Sequence, residues 1–236
     1  MADKIRLGII GANIHRGWAP RAHLPAIVAS PEFELTAVCT TRMESAEESR
    51  QKYGAKLAFD DYRKMLAHPD IDAVAVSLRV PAHYEPTMAA INAGKHVYTE
   101  WPLGRTTAEA QEMADLAQAK GVRNMVGLQS RAGPAILYAK DLIESGYVGE
   151  VMSCHVSRIG EGTLQRPSDR TWQRDADLGA NNPNHFLRPH HRCPALRGRG
   201  LQPSLHSGQH PGQGMAGGGY RANGRGDLAG QHLGQR

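Results

Sequence analysis

Between Ile5 and Leu128, short apolar runs alternate with longer helix-patterned segments six times over. A brief apolar run reads as a buried strand, and a longer periodic stretch reads as a helix. Strands are predicted over Ile5–Ile10, Phe33–Cys39, Lys56–Phe59, Ile71–Leu78, His96–Thr99 and Val122–Leu128. Helices are predicted over Arg21–Ser30, Glu44–Tyr53, Asp60–Ala67, Tyr84–Ala93 and Thr107–Lys120. Pro134–Ser145 reads as one more helix, and Glu150–Ser157 as the beginning of another strand. Gly54, Gly94, Gly121 and Gly146 stand where helices end, and Asp60 or Asp61 and Thr106 or Thr107 where they begin. Strict alternation of this kind implies an α/β fold: a doubly wound parallel sheet with helices on both faces. Such a sheet binds its ligand beyond the carboxyl ends of its strands, where the strand order reverses. The functional residues are therefore expected just after strands one, two, four, five and six.

The turn after the first strand reads Gly8-Ile9-Ile10-Gly11-Ala12-Asn13-Ile14-His15-Arg16-Gly17-Trp18-Ala19. A dinucleotide fingerprint wants one glycine at the tight turn, one where backbone meets pyrophosphate and one for helix packing. Gly11 fits the first role and Asn13 stands at the second. Gly17 fits the third if the loop is one residue longer. Read this way, residues 11–18 cradle a phosphate with backbone N–H groups at a helix N-terminus; the alternative is a plain strand-to-helix turn. The second strand ends Cys39-Thr40-Thr41-Arg42, with no acid to hold a ribose 2′-hydroxyl. Threonine hydroxyls and a guanidinium suit a 2′-phosphate, which favours NADP over NAD. The alternative is a solvated arginine at a helix start.

At the fifth strand the sequence becomes specific. The run Ala93-Gly94-Lys95-His96-Val97-Tyr98-Thr99-Glu100-Trp101-Pro102-Leu103-Gly104 resembles the AGKHV…EKPL segment of the Gfo/Idh/MocA oxidoreductases. Val80-Pro81-Ala82-His83 resembles the TPxxxH stretch of that family, with the histidine one place early. The long first loop with Gly17-Trp18-Ala19, the Glu100-Trp101-Pro102-Leu103-Gly104 run and Gly127-Leu128-Gln129-Ser130-Arg131 are closer to one branch. That branch includes the yeast galactose-regulon repressor and bacterial oxidoreductase-like proteins. The resemblance covers residues 5–181. It implies a Rossmann domain over 1–128 and the start of an α+β substrate domain over 129–181. It implies cofactor contacts from Ser77, Leu78, Pro81, His83, Glu100, Trp101 and Pro102, besides the first loop and Thr40–Arg42. Gln129 and Arg131 would face a sugar, polyol or related carbonyl substrate. Intact relatives are expected to form homo-oligomers. The catalytic lysine of the family aligns with Trp101, whose indole cannot carry a proton as an ammonium does. Trp101 is expected to face the ligand crevice as a stacking surface; the alternative is a tryptophan packed under the fifth strand. Two functions remain open: an NAD(P)-dependent oxidoreductase, or a non-catalytic, dinucleotide-sensing regulator working through protein contacts.

Beyond Asn181 the pattern stops. Residues 182–236 hold seven arginines against the single acid Asp227, so this tail carries +6 of a net charge of +5. The rest is close to neutral, as in an ordinary globular domain. Only Phe186 and Tyr220 accompany the arginines, too few aromatic platforms for specific nucleic-acid binding. Twelve of the 26 glycines lie in this tail, which predicts a disordered segment without secondary structure. A sharper reading is a shifted reading frame. Back-translated from Asn182 and read one base later, synonymous codons spell TLTISSGHTIDALRFVVEDFS, which resembles the second-domain core of the same branch. On that reading the cluster His185, His190 and His191 is no metal site, the substrate domain stops after its first strand, and the chain is inactive. The three cysteines lack metal-ligand spacing. No run is long and apolar enough to span a bilayer, and no signal peptide is read at the N-terminus, so the expected location is cytoplasmic.

Overall fold

The computed structural model describes residues 3–156, 175–179, 201–206 and 217–222; residues 154–156 and the last two segments are described by their backbone. The chain divides into two compact units, Met1–Leu128 with Asp169–His185, and Gln129–Ser168 with Phe186–Arg236. Among the described residues beyond 156, Asp175–Gly179 cluster with the first unit.

The first unit carries six parallel strands: β1 (Ile5–Ile10), β2 (Phe33–Cys39), β3 (Leu57–Phe59), β4 (Ala73–Val76), β5 (His96–Glu100) and β6 (Asn124–Gly127). Their order is β3-β2-β1-β4-β5-β6. The order reverses between β1 and β4, which is where a doubly wound sheet opens its ligand crevice. The helices are α1 (Leu24–Ala29), α2 (Met43–Tyr53), α3 (Tyr62–Leu66), α4 (Tyr84–Asn92) and α5 (Thr107–Lys120).

Strand residues alternate between two cores, because successive side chains leave a strand on opposite faces. Val74, Val76 and Val97 join Met65, Ile91 and Met113 from α3, α4 and α5. Leu7, Ile9 and Ala75 join Leu24 and Ile27 from α1 on the opposite face. Thr36 is skipped in the register between Leu7↔Leu35 and Gly8↔Ala37, a bulge that puts Leu35 and Val38 on one face. At the amino edge, Arg6 anchors β1 to the segment before β4. Its backbone N–H and Nε both reach Asp72 Oδ2, at 2.9 and 3.0 Å, and Nη2 reaches Oδ1 at 2.7 Å.

The predicted helix Arg21–Ser30 is the largest local difference. Residues Ala19–His23 form a wide π-type turn, and only Leu24–Ala29 are α-helical. Pro20 and Pro25 explain the interruption, since each lacks the N–H that a regular ladder needs.

In the second unit, Pro134–Glu144 forms α6. Strands β7 (Cys154–Val156), β8 (Leu201–His206) and β9 (Gly217–Ala222) form an antiparallel sheet in the order β7-β9-β8. The expectation of a tail without secondary structure is corrected at β8 and β9. Gly217-Gly218-Gly219 and Pro203 carry no strand signal in sequence; the pairing rests on backbone hydrogen bonds, and Pro203 is tolerated because β8 is an edge strand. The remainder of residues 182–236, including His185, His190 and His191, lies outside the described residues.

Candidate functional site

The crevice is built where β1 meets both its neighbours. Ile10 is registered against Cys39 of β2 and Val76 of β4. The chain then turns at Gly11 with φ +92°. The N–H groups of Gly11 and Ala12 both donate to the Cys39 carbonyl, at 2.9 and 3.1 Å, and Ser77 N–H donates to the Ile10 carbonyl at 2.9 Å. A Cβ at Gly11 would overlap the Ser77 carbonyl and stand 2.8 Å from Leu78 Cδ2. Glycine is thus demanded twice here, by conformation and by the approach of the loop after β4.

Beyond Gly11 the loop departs from the expected cradle. Ala12 is buried in the core. Asn13 Oδ1 accepts from the N–H groups of His15 and Arg16, at 2.9 and 3.1 Å, so those two donors are spent inside the loop. Gly17 has φ +86°, yet a Cβ there would meet nothing within 4 Å; its need is conformational, not helix packing. Ile14 is half-buried, whereas His15, Arg16, Gly17 and Trp18 are exposed. His15 Nε2 pairs with Glu48 Oε1 of α2 at 3.0 Å. The first helical turn begins only at Ala19, so the helix N-terminus lies well past the glycine turn.

After β2, the three expected phosphate contacts divide. The Thr40 hydroxyl is buried; it donates to the Arg42 carbonyl at 2.8 Å and lies 2.6 Å from Ser45 Oγ. It closes the entry to α2 and is occupied there. Thr41 and Arg42 are exposed at the N-terminus of that helix. The Cys39 thiol is pushed up to about 12, chiefly by burial and then by Asp61 and Asp60, so it is chemically quiet.

His83 is held on both sides. Only 1% exposed, it bridges two loops: Nδ1 lies 2.8 Å from the Pro102 carbonyl and Nε2 lies 3.0 Å from the Leu78 carbonyl. Two carbonyls would each take a proton from the ring, but burial outweighs them and holds its pKa below the ordinary histidine value. Burial thus favours the neutral ring, whose one N–H serves one of the two carbonyls, and the imidazole fills the space between the loop after β4 and the loop after β5. Ser77 and Leu78 are half-buried, and Pro81 is exposed on the turn Val80–Ala82.

At the end of β5, Glu100 is buried, Trp101 half-buried and Pro102 buried, and the Trp101–Pro102 bond is cis. Glu100 Oε1 accepts from His23 Nε2, and the His23 ring meets Tyr98 edge-on with centroids 5.4 Å apart. Neither His23 nor Tyr98 was singled out from sequence. His23 lay inside a helix-like run, and nothing in its spacing tied it to a residue on a strand 77 positions away. Asp175–Gly179 also returns to this edge. Gly179 is buried with φ +75°, and a Cβ there would stand 2.6 Å from Arg105 Cα and 3.0 Å from Val80 Cγ1. In the second unit, Gln129 and Arg131 are exposed on the short turn Gln129–Ala132.

The residues present fit a dinucleotide: a forced glycine turn at the reversal point, a rigid floor between the loops after β4 and β5, and an exposed cation after β2. Among the described residues, no group of three or more His, Cys, Asp or Glu side chains is placed to hold a metal. No described helix is long and apolar enough to cross a membrane.

Comparison with known proteins agrees with this geometry. Dehydrogenase aclE of Aspergillus oryzae is 32% identical over 187 residues, covering 77% of this chain and 51% of that protein. The galactose/lactose metabolism regulatory protein GAL80 of Saccharomyces cerevisiae is 32% identical over 168 residues, covering 67% of this chain and 39% of its own. A crystal structure of a 3-ketoreductase from Actinomadura kijaniata in complex with NADP superposes with a TM-score of 0.59 at 31% identity, over 64% of this chain and 47% of that one. The chain thus spans about half the length of the relatives it matches, or less. Residues 5–128 match the Gfo/Idh/MocA oxidoreductase family, described by its NAD-binding Rossmann fold, and the chain belongs to that family.

Proposed function

We propose that the first unit binds NADP in preference to NAD and that the parent protein is an oxidoreductase of a sugar, polyol or related carbonyl. The observation that carries this reading is the exposed Thr41–Arg42 pair at the N-terminus of α2, beside a glycine turn fixed at the point of strand reversal. A bound nicotinamide dinucleotide would accept or supply hydride; this chain's residues would seat and orient it. Gly11 sets the path of the loop, His83 fixes the floor, and Arg42 offers a bidentate fork to a 2′-phosphate. The 3-ketoreductase with NADP bound supports the choice of cofactor. Loss of one charged phosphate contact costs about 1.5–3 kcal/mol, so Arg42→Ala is expected to weaken NADP binding by roughly tenfold to a hundredfold. NAD affinity should be nearly unchanged; calorimetric titration with both cofactors checks it, and equal weakening removes Arg42 from the 2′-phosphate role.

A second reading has its own support. The family resemblance sets Trp101 against the family lysine, and the similar protein GAL80 is a regulatory protein. On that reading the unit senses a dinucleotide without turning it over. Dinucleotide binding without turnover on a broad panel of sugars and polyols favours the regulator. For residues 182–236 the proposal remains a shifted reading frame, with the substrate domain interrupted and the chain as given inactive; sequencing the coding DNA around those codons tests it.

A further inference from the structure

Among the described residues, the His23 imidazole and the Glu100 carboxylate meet at the end of β5, next to Trp101. We propose that His23 and Glu100 form an acid–base couple under the nicotinamide end of the crevice, which handles the substrate proton that residue 101 cannot carry. The inference rests on the dinucleotide reading given above.

Four observations support it. His23 ends the turn that follows the glycine loop, and Glu100 ends β5, so their contact spans from the loop after β1 across β4. The side chains are 15% and 12% exposed, so the pair is largely sheltered from bulk water without being fully buried. Tyr98 holds the imidazole edge-on. On β6, Gly127 is registered against Glu100; a Cβ there would overlap the Tyr98 phenol and stand 3.2 Å from Glu100 Oε2. The neighbouring strand thus gives up a side chain chiefly to leave room for the Tyr98 phenol, which in turn meets the His23 ring. The other imidazoles of this edge are committed elsewhere: His83 lies between two carbonyls, and His15 pairs with Glu48 on α2.

The chemistry balances. In alcohol oxidation, the carbinol C–H bond breaks and its hydride passes to the oxidised dinucleotide. The O–H bond breaks, its proton passes to the couple, and the carbon–oxygen double bond forms. Water then takes the proton from the couple. In the reverse direction the couple returns one proton to the carbonyl oxygen as hydride arrives from the reduced dinucleotide. A carboxylate accepting from an imidazole N–H fixes its tautomer and ring orientation.

The test needs no substrate. Oxidised nicotinamide carries a positive charge and the reduced ring does not. A couple beneath the ring must bind NADP+ better once it has lost its proton, so the ratio of the NADP+ and NADPH affinities must depend on pH. Other titratable or charged groups around the couple are Tyr98 against the ring, His83, whose charge Glu100 favours, and Arg21 on the same turn. The full chain is titrated with NADP+ and with NADPH across about pH 5–8, while His23 is followed by imidazole NMR. The ratio of the two affinities is expected to move about tenfold in favour of NADP+ with rising pH, one pKa unit of coupling. Glu100→Gln is expected to flatten that change, as is His23→Gln. The NMR arm on the unsubstituted chain stands even if a variant fails to fold. A ratio flat with pH, or a His23 titration indifferent to bound NADP+, overturns the couple and leaves the dinucleotide site intact. Failure of both dinucleotides to bind overturns the site and the couple together.

Discussion

Gly11 and His83 show how single residues shape this crevice. At Gly11 an added methyl meets a carbonyl oxygen, and the positive φ is costly for any L side chain. Gly11→Ala is therefore expected to destabilise the chain by more than the roughly 1–2 kcal/mol of the conformational penalty alone. Urea unfolding measures it; a loss under 1 kcal/mol would show that the loop after β4 yields easily. His83 is neutral and its pKa is depressed in the fold, so the unfolded chain takes up a proton first as pH falls below the ordinary value of 6.5. Stability should then be level above that value and decline below it. His83→Gln is expected to remove this part of the slope while keeping one donor for a carbonyl. Unfolding curves with and without the substitution, compared from pH 8 down to about pH 5, check it. Gly11 was legible in sequence because a tight turn after a first strand leaves few other choices. The place of His83 was not: a histidine after β4 reads equally as ligand or as buttress until its burial and both partners are seen.

At the scale of elements, the sequence reading found the alternation and missed the joints. Runs such as Ile71–Leu78 announce a buried strand because parallel strands are covered on both faces. The break between Ala19–His23 and Leu24–Ala29 depends on Pro20 and Pro25 acting together, and β8 and β9 depend on pairing that composition hides. Thr40 illustrates the ambiguity of a short polar residue after a strand. Its hydroxyl serves either a ligand or the next helix, and here Ser45 and the Arg42 carbonyl claim it. Thr40→Val is expected to cost about 1–2 kcal/mol through the lost hydrogen bonds to the Arg42 carbonyl and Ser45, with little change in the preference for NADP over NAD. Loss of that preference alone, without loss of stability, would return Thr40 to the cofactor. On the opposite edge, Arg6 holds the Asp72 carboxyl down to about 2, first through its side-chain hydrogen bonds. The resulting stability is fully present above pH 3.8 and is lost as pH falls through about 2. Both side chains are 38% exposed, so solvent screening keeps the contribution small, and the gap between the chain and Asp72→Asn should narrow over that window.

For the molecule as a whole, the two units differ in how well they cover themselves. The first encloses two cores. In the second, no residue of α6 is buried, and Ile136, Leu137, Tyr138, Tyr147, Val148 and Met152 are all exposed. If the reading frame shifts at Asn182, the restored sequence should supply strands that cover this surface. The expected outcome is lower binding of a hydrophobic dye by the frame-restored protein than by the chain as given, at equal concentration. Equal dye binding would mean that the tail already performs the covering. The contact between Gly11 and Ser77 has a last consequence, for how such a protein can vary. The tight approach to the Ser77 carbonyl sits at Gly11, at the root of the first loop, while a Cβ at Gly17 in its crown would meet nothing within 4 Å. Insertions can accumulate in the crown without disturbing the meeting of β1 and β4. The cradle's rim is thus open to change, and its hinge point is not.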